Sequence, residues 1–170
     1  TERMVPKILE AYATVRVGDP LDPETLMGPL VDERAVAQMR AAIEAAEREG
    51  CEVLAGGIAG IDRFADASGN FVEPTVIRVP KGKTPEITRE ETFAPILYIF
   101  EFDSLDDAIA AHNGVDQGLS SAIFTASVRS AQRFLSPAGS DFGIANANLA
   151  PSGAASGRAS RGANTTGGLR

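Results

Sequence analysis

Glu90-Glu91-Thr92-Phe93-Ala94-Pro95 runs directly into Ile96-Leu97-Tyr98-Ile99-Phe100. The first half is a short acidic turn that Pro95 stiffens, because its ring fixes the backbone. The second half is a run of branched, apolar and aromatic residues, the composition of a buried strand. A carboxylate and an aromatic ring thus stand two residues apart on a loop anchored by a strand. That pair suits a polyol held by a carboxylate beside a flat ring. The strand also sets the fold, since similar short apolar runs recur on both sides of it and alternate with helical patterns.

Upstream, Val5, Ile8, Leu9, Tyr12 and Val15 recur at spacings of three and four, which predicts a helix over residues 1–16. No capping residue precedes it, so the chain is expected to begin inside an element. Gly18-Asp19-Pro20 ends the helix. Asp32 is the expected N-cap of the next one, whose buried stripe is Val36, Met39, Ile43 and Ala46. Glu47-Arg48-Glu49 is its solvated end and Gly50 its stop. Cys51 to Leu54 is a short strand closed by Gly56-Gly57, and residues 58–70 read as a surface loop. Phe71 to Val79 is a strand that Pro74 interrupts, which suggests an edge or an irregular start. Pro85 to Glu90 reads as one helical turn.

Downstream, Ser104 caps a helix whose first turn holds Asp106 and Asp107, the end where a helix dipole favours anions. Asn113-Gly114 closes it. Ser121 to Thr125 is a strand, and Val128, Ala131, Phe134 and Leu135 mark a helix stopped by Pro137 and Gly139. Gly143 to Asn148 is the last strand. This alternation predicts an α/β fold, a mostly parallel sheet with flanking helices. Residues 1–149 form one partial domain in this reading. Residues 150–170, rich in Gly, Ser, Ala and Arg, read as a loop or partly disordered tail.

The composition narrows the partners. With 44% hydrophobic and 23% charged residues the chain has globular composition, and its net charge of −7 argues against nucleic acid and anionic membrane surfaces. No apolar run approaches the roughly 20 residues of a spanning helix. No signal peptide is expected, since Thr1-Glu2-Arg3 leads straight into helical sequence. One cysteine cannot form an internal disulfide, which fits a reducing compartment and a cytoplasmic location. Cys51 opens a strand after a helix stop and reads as an ordinary half-buried thiol. His112, the sole histidine, reads as a surface or capping residue and not a metal ligand.

Glu91-Thr92-Phe93-Ala94-Pro95 resembles the Glu-x-Phe-x-Pro element of the NAD(P)-dependent aldehyde dehydrogenases. Gly28-Pro29-Leu30-Val31-Asp32, Gly56-Gly57, Phe71-Val72-Glu73-Pro74-Thr75, Gly118 to Thr125 and Gly143 to Asn148 extend the resemblance over nearly the whole chain. It implies that Glu91 binds the nicotinamide ribose hydroxyls and that Phe93 packs near the nicotinamide. Val17 to Pro23, Leu26 to Leu30 and Pro151-Ser152-Gly153-Ala154 look most like the antiquitin branch, which oxidises aminoadipic semialdehyde. By position, Gly153 and Ala154 would offer backbone amides to the substrate's carboxylate tail. After them the branch has Phe, Glu and Lys positions that are lost in Ala155 to Asn164, whereas Thr166-Gly167-Gly168 still matches.

The resemblance covers the later part of the family's chain. It implies that the dinucleotide-binding domain, the general-base Glu, the oxyanion Asn and the nucleophilic Cys lie outside it. No catalytic residue is therefore expected here, NAD or NADP would be bound only by a complete enzyme, and the isolated chain is expected to be inactive. The alternative reading is a non-catalytic structural or interaction module that self-associates or docks on a full-length relative.

Overall fold

The computed structural model describes residues 2–65 and 69–150. They fall into two compact units that divide between Glu101 and Phe102.

The first unit opens with α1, Val5–Ala13, which has a proline in its first turn and ends at the Thr14 C-cap. The expected helix over 1–16 stops early because the chain turns extended: the Arg16 carbonyl accepts from Leu26 and Met27, and Val17 pairs with Met27. The intervening loop folds on its own aspartates. Asp19 accepts the Leu21 N–H and Asp22 the Glu24 N–H, both at 2.9 Å. Helix α2, Glu33–Arg48, starts at Asp32, whose Oδ1 accepts the Ala35 N–H at 2.8 Å. Its buried face is Ala35, Met39, Ala42, Ile43 and Ala46, close to the predicted stripe.

Strand β1, Glu52–Ala55, pairs antiparallel with β2, Thr75–Arg78, and β2 pairs parallel with β3, Ile96–Ile99. Pro74 lies just outside β2, so the irregular start is as expected, but β2 is the central strand of the order β1-β2-β3. Thr75, Val76 and Ile77 are fully buried there. Met39, Ile43 and Ala46 of α2 meet Cys51, Val72, Ile77 and Val79 in one core, with Ala94, Ile96, Tyr98 and Phe100 packed against it.

The loop expected over 58–70 is in part a helix, α3, Gly57–Asp62, with Gly57, Gly60 and Ile61 buried. Its glycines obscured it. They are needed because the helix lies so near the sheet that a Cβ on Gly60 would stand 2.9 Å from Glu73 Cβ. Gly56 leads in with φ +71 and ψ −106, a backbone conformation that glycine adopts and residues with a Cβ avoid. The segment Glu86–Arg89 is a 3-10 turn, as the single predicted turn over Pro85 to Glu90 suggests.

The second unit holds α4, Leu105–His112, β4, Ser120–Ile123, α5, Val128–Leu135, and β5, Ile144–Ala147. The Ser104 hydroxyl accepts the Asp107 N–H at 3.1 Å and caps α4, and Ser127 does the same for α5 through Ser130. β4 and β5 pair in parallel, Ser121 opposite Ala145 and Ala122 opposite Asn146. Ile109 and Phe134 carry its burial. The α/β expectation holds, with β2–β3 and β4–β5 parallel and β1–β2 the antiparallel exception.

Candidate functional site

The entry to β3 is a pair of consecutive tight turns. The Ala94 N–H donates to the Thr92 carbonyl at 2.7 Å, and the Ile96 N–H donates to the Ala94 carbonyl at 2.8 Å. Each closes a three-residue turn, centred on Phe93 and on Pro95, and neither centre has a positive φ. From Ala94 on, alternate residues face the core: Ala94, Ile96, Tyr98 and Phe100. The odd-numbered side chains take the other direction, as strand pleating requires. Phe93, at the centre of the first turn, is 75% exposed, an uncommon state for a phenylalanine, and Glu91 is exposed as well. The loop is held at its C-terminal end by the Pro95 carbonyl, which accepts the Thr75 N–H at 2.8 Å.

Among the described residues the Glu91 carboxylate has no hydrogen-bond or ion-pair partner. Its acceptor oxygens are open, and a pair of vicinal hydroxyls is the complement a free carboxylate can take. The exposed ring of Phe93 offers an apolar face two residues away. An acceptor pair beside an apolar ring is chemically compatible with the hydroxyls and flat ring at the ribose end of a nicotinamide dinucleotide. The adjoining Glu90 is exposed too.

A separate cleft of about 600 Å³ lies in the first unit, lined by Leu9, Tyr12, Val15, Gly56, Phe64 and Glu73 among others, with Arg63 at its wall. Arg63 pairs with Glu73 at 2.5 Å. Neither Glu91 nor Phe93 lines it.

Cys51, His112 and Asp106 sit in structural settings of their own. Cys51 is 8% exposed and belongs to the core, and burial, then the Glu49 charge, pushes its thiol up. That opposes the thiolate a nucleophile needs. His112 is more engaged than a surface or capping residue. Its ring stacks on Phe142 with centroids 3.9 Å apart, and its Nε2 lies 2.8 Å from Ser140 Oγ, which in turn meets Ser121 Oγ at 2.8 Å. Burial lowers the His112 pKa, and Asp141 pulls it the other way. Asp106 pairs with Arg133 at 2.8 Å. Among the described residues no three metal-ligating side chains come together, and no helix is long and apolar enough to cross a membrane. Gly153 and Ala154, with the tail beyond them, lie outside the described residues.

Glu49 was legible only as the wet end of a helix. Its carboxylate reaches the turn before the candidate site, Oε2 accepting the Glu86 N–H at 2.7 Å. Its partner lies 37 residues on, so no local pattern could have signalled it.

A model of the "Aldehyde dehydrogenase family" matches residues 1–168. The chain is 43% identical over 169 residues to the alpha-aminoadipic semialdehyde dehydrogenase of Bos taurus, covering 99% of this chain and 30% of the relative. It is 40% identical to a putative aldehyde dehydrogenase family 7 member A1 homolog of Caenorhabditis elegans, covering 99% and 31%. The resemblance to that branch is thus matched by curated relatives, and the chain spans about a third of their length. Among solved structures, PnpE in complex with nicotinamide adenine dinucleotide has a TM-score of 0.78 at 32% identity, over 88% of this chain and 30% of that one. An Escherichia coli NADP dependent enzyme has a TM-score of 0.76 at 32% identity, over 87% and 29%.

Proposed function

We propose, from the premise that this chain belongs to the aldehyde dehydrogenase family, that it serves as the later part of a catalytic domain that oxidises an aldehyde to a carboxylic acid. NAD or NADP, when bound by the complete enzyme, supplies the hydride acceptor. The task of this chain is to bind and orient that dinucleotide at its ribose end. Glu91 accepts hydrogen bonds from the two ribose hydroxyls, and Phe93 shields the adjoining ring from water. The observation that carries this reading is a Glu91 carboxylate with no partner among the described residues, beside a 75% exposed Phe93 at the mouth of a core strand.

The substrate we infer is a semialdehyde with a carboxylate tail, as in the name of the Bos taurus relative. Gly153 and Ala154 would receive that tail on their amides. The nucleophile and general base would come from the rest of the enzyme, and the isolated chain would be catalytically silent.

The test compares the purified chain with a longer polypeptide that contains it. Aldehyde and NAD should give NADH with the longer polypeptide and none with the chain alone. In the longer polypeptide, Glu91→Gln should weaken NADH binding roughly tenfold, the value of a charge-assisted hydrogen bond. NADH production by the chain alone would overturn the claim of silence, and an unchanged NADH affinity in Glu91→Gln would overturn the ribose assignment.

A second reading is favoured by apolar exposure. Leu119, Phe124 and Val128 of the second unit are 84%, 66% and 72% exposed, and a partner that covered these side chains would remove apolar surface from water. Light scattering after size exclusion tests whether the chain self-associates or docks on a full-length relative.

A further inference from the structure

Glu49 occupies an unfavourable place for its charge. It is the C-cap of α2, where the carbonyl ends of the helix disfavour an anion. Its carboxylate instead turns to the 3-10 turn Glu86–Arg89. Oε2 accepts the Glu86 N–H at 2.7 Å and Oε1 accepts the Ile87 N–H at 3.4 Å. These are the first amides of a short turn, which lack partners within it. The turn is closed by the Thr88 hydroxyl on the Pro85 carbonyl and by the Glu90 N–H on the Ile87 carbonyl, and Ile87 packs on the core. Glu91 follows at once.

The loop that carries Glu91 and Phe93 therefore hangs between two fixed points. One is the backbone bond from Thr75 to Pro95, part of the sheet. The other is the turn that Glu49 grips. We propose that Glu49 is a positioning residue for the dinucleotide: by holding the amides of Glu86 and Ile87 it sets where the Glu91 carboxylate and the Phe93 ring stand. The proposal rests on the reading of Glu91 and Phe93 as the ribose site. A side chain held loosely by its support loses binding and rate steeply with small displacements.

The experiment has two readouts that need no turnover. In the 170-residue chain, hydrogen exchange at the Glu86 and Ile87 amides should quicken roughly tenfold in Glu49→Ala, since an exposed cap bond is what protects them. In the longer polypeptide, the NADH dissociation constant, read from NADH fluorescence, should rise by roughly three- to tenfold in Glu49→Ala. Glu49→Gln keeps a carbonyl acceptor for Glu86 and should restore most of the affinity. The KM for NAD should rise with the dissociation constant while the KM for the aldehyde stays put. Glu91→Gln is measured alongside. If Glu91→Gln weakens NADH and Glu49→Ala does not, the positioning role is wrong and the ribose assignment stands. If neither weakens it, the ribose assignment falls and the positioning role falls with it. A Glu49→Ala variant that loses aldehyde and NADH affinity alike, with no rescue by Gln, would overturn the proposal in favour of a merely structural role.

Discussion

The Thr75 hydroxyl accepts the amide hydrogen of Gly57 at 3.0 Å, a fully buried bond across 18 residues of chain. It ties the start of α3 to the start of the central strand. The same threonine gives its backbone N–H to Pro95 at the candidate site. Replacing Thr75 by valine keeps the shape and removes the acceptor, so a buried N–H is left without a partner. The expected loss is about 1–3 kcal/mol of stability, read from denaturant midpoints at unchanged slope.

Two glycines with positive φ should respond differently to alanine. Gly50 has φ +86 and open space around a virtual Cβ, so Gly50→Ala should cost about 1–2 kcal/mol from backbone strain alone. Gly56 has φ +71, and its Cβ would stand 2.5 Å from the Pro74 carbonyl oxygen and 2.7 Å from Thr75 Oγ1. Gly56→Ala should therefore be the more destabilising of the two by thermal melting. The reverse order would mean that the turn against Pro74 relaxes freely.

Tyr98 has a buried hydroxyl with no partner among the described residues, and burial, then the charges of Cys51 and Glu49, pushes its pKa up to about 12. A raised pKa means stability that is complete below the ordinary value of 10 and is lost as pH rises through about 12. Tyr98→Phe removes both the unpaired oxygen and this alkaline sensitivity. It should be neutral or stabilising by up to about 1 kcal/mol, with a flatter alkaline arm in chemical denaturation.

His112 gives the acid counterpart. Its folded pKa lies below the ordinary 6.5, first through burial, with Asp141 offsetting part of the effect. A depressed pKa means stability present above 6.5 and lost as pH falls through the folded value. His112→Gln should lose less stability than the parent on going from about pH 7.5 to about pH 5.5. Equal losses in parent and variant would sink the assignment.

Glu91→Gln and Phe93→Ser should leave folding stability within about 0.5 kcal/mol, because both side chains are exposed. A larger loss in thermal melts would show that these residues serve the fold and would weaken their reading as a ligand site.

The elements that carry their own local signals were legible. Asp32 and Ser104 are capping residues by type and position, and both cap. The stripe of α2 was nearly complete because a 3.6-residue period survives in sequence. The single turn before Glu91 was legible over Pro85 to Glu90, whereas the outward direction of Phe93 was not. What stayed hidden was non-local. α3 looked like a loop because Gly57 and Gly60 serve close packing on Glu73 and Val53. The antiparallel hand of β1 has no local signature, and neither does the division between Glu101 and Phe102. His112 gave no hint of Phe142 or Ser140, and Glu49 gave none of Glu86, because those contacts exist only once distant segments meet.

The central place of β2 carries a kinetic consequence. Its neighbours join it from afar: Glu52 pairs with Arg78, and Thr75 pairs with Ile96. Each pairing must close a long stretch of chain before any ladder bond repays the lost entropy. Helix α2 can form early from local contacts, but the loop bearing Glu91 has nothing to lean on until Thr75 has arrived. That loop is thus a late product of folding, and a chain caught partway would hold its helix before Glu91 and Phe93 had been brought to the mouth of β3.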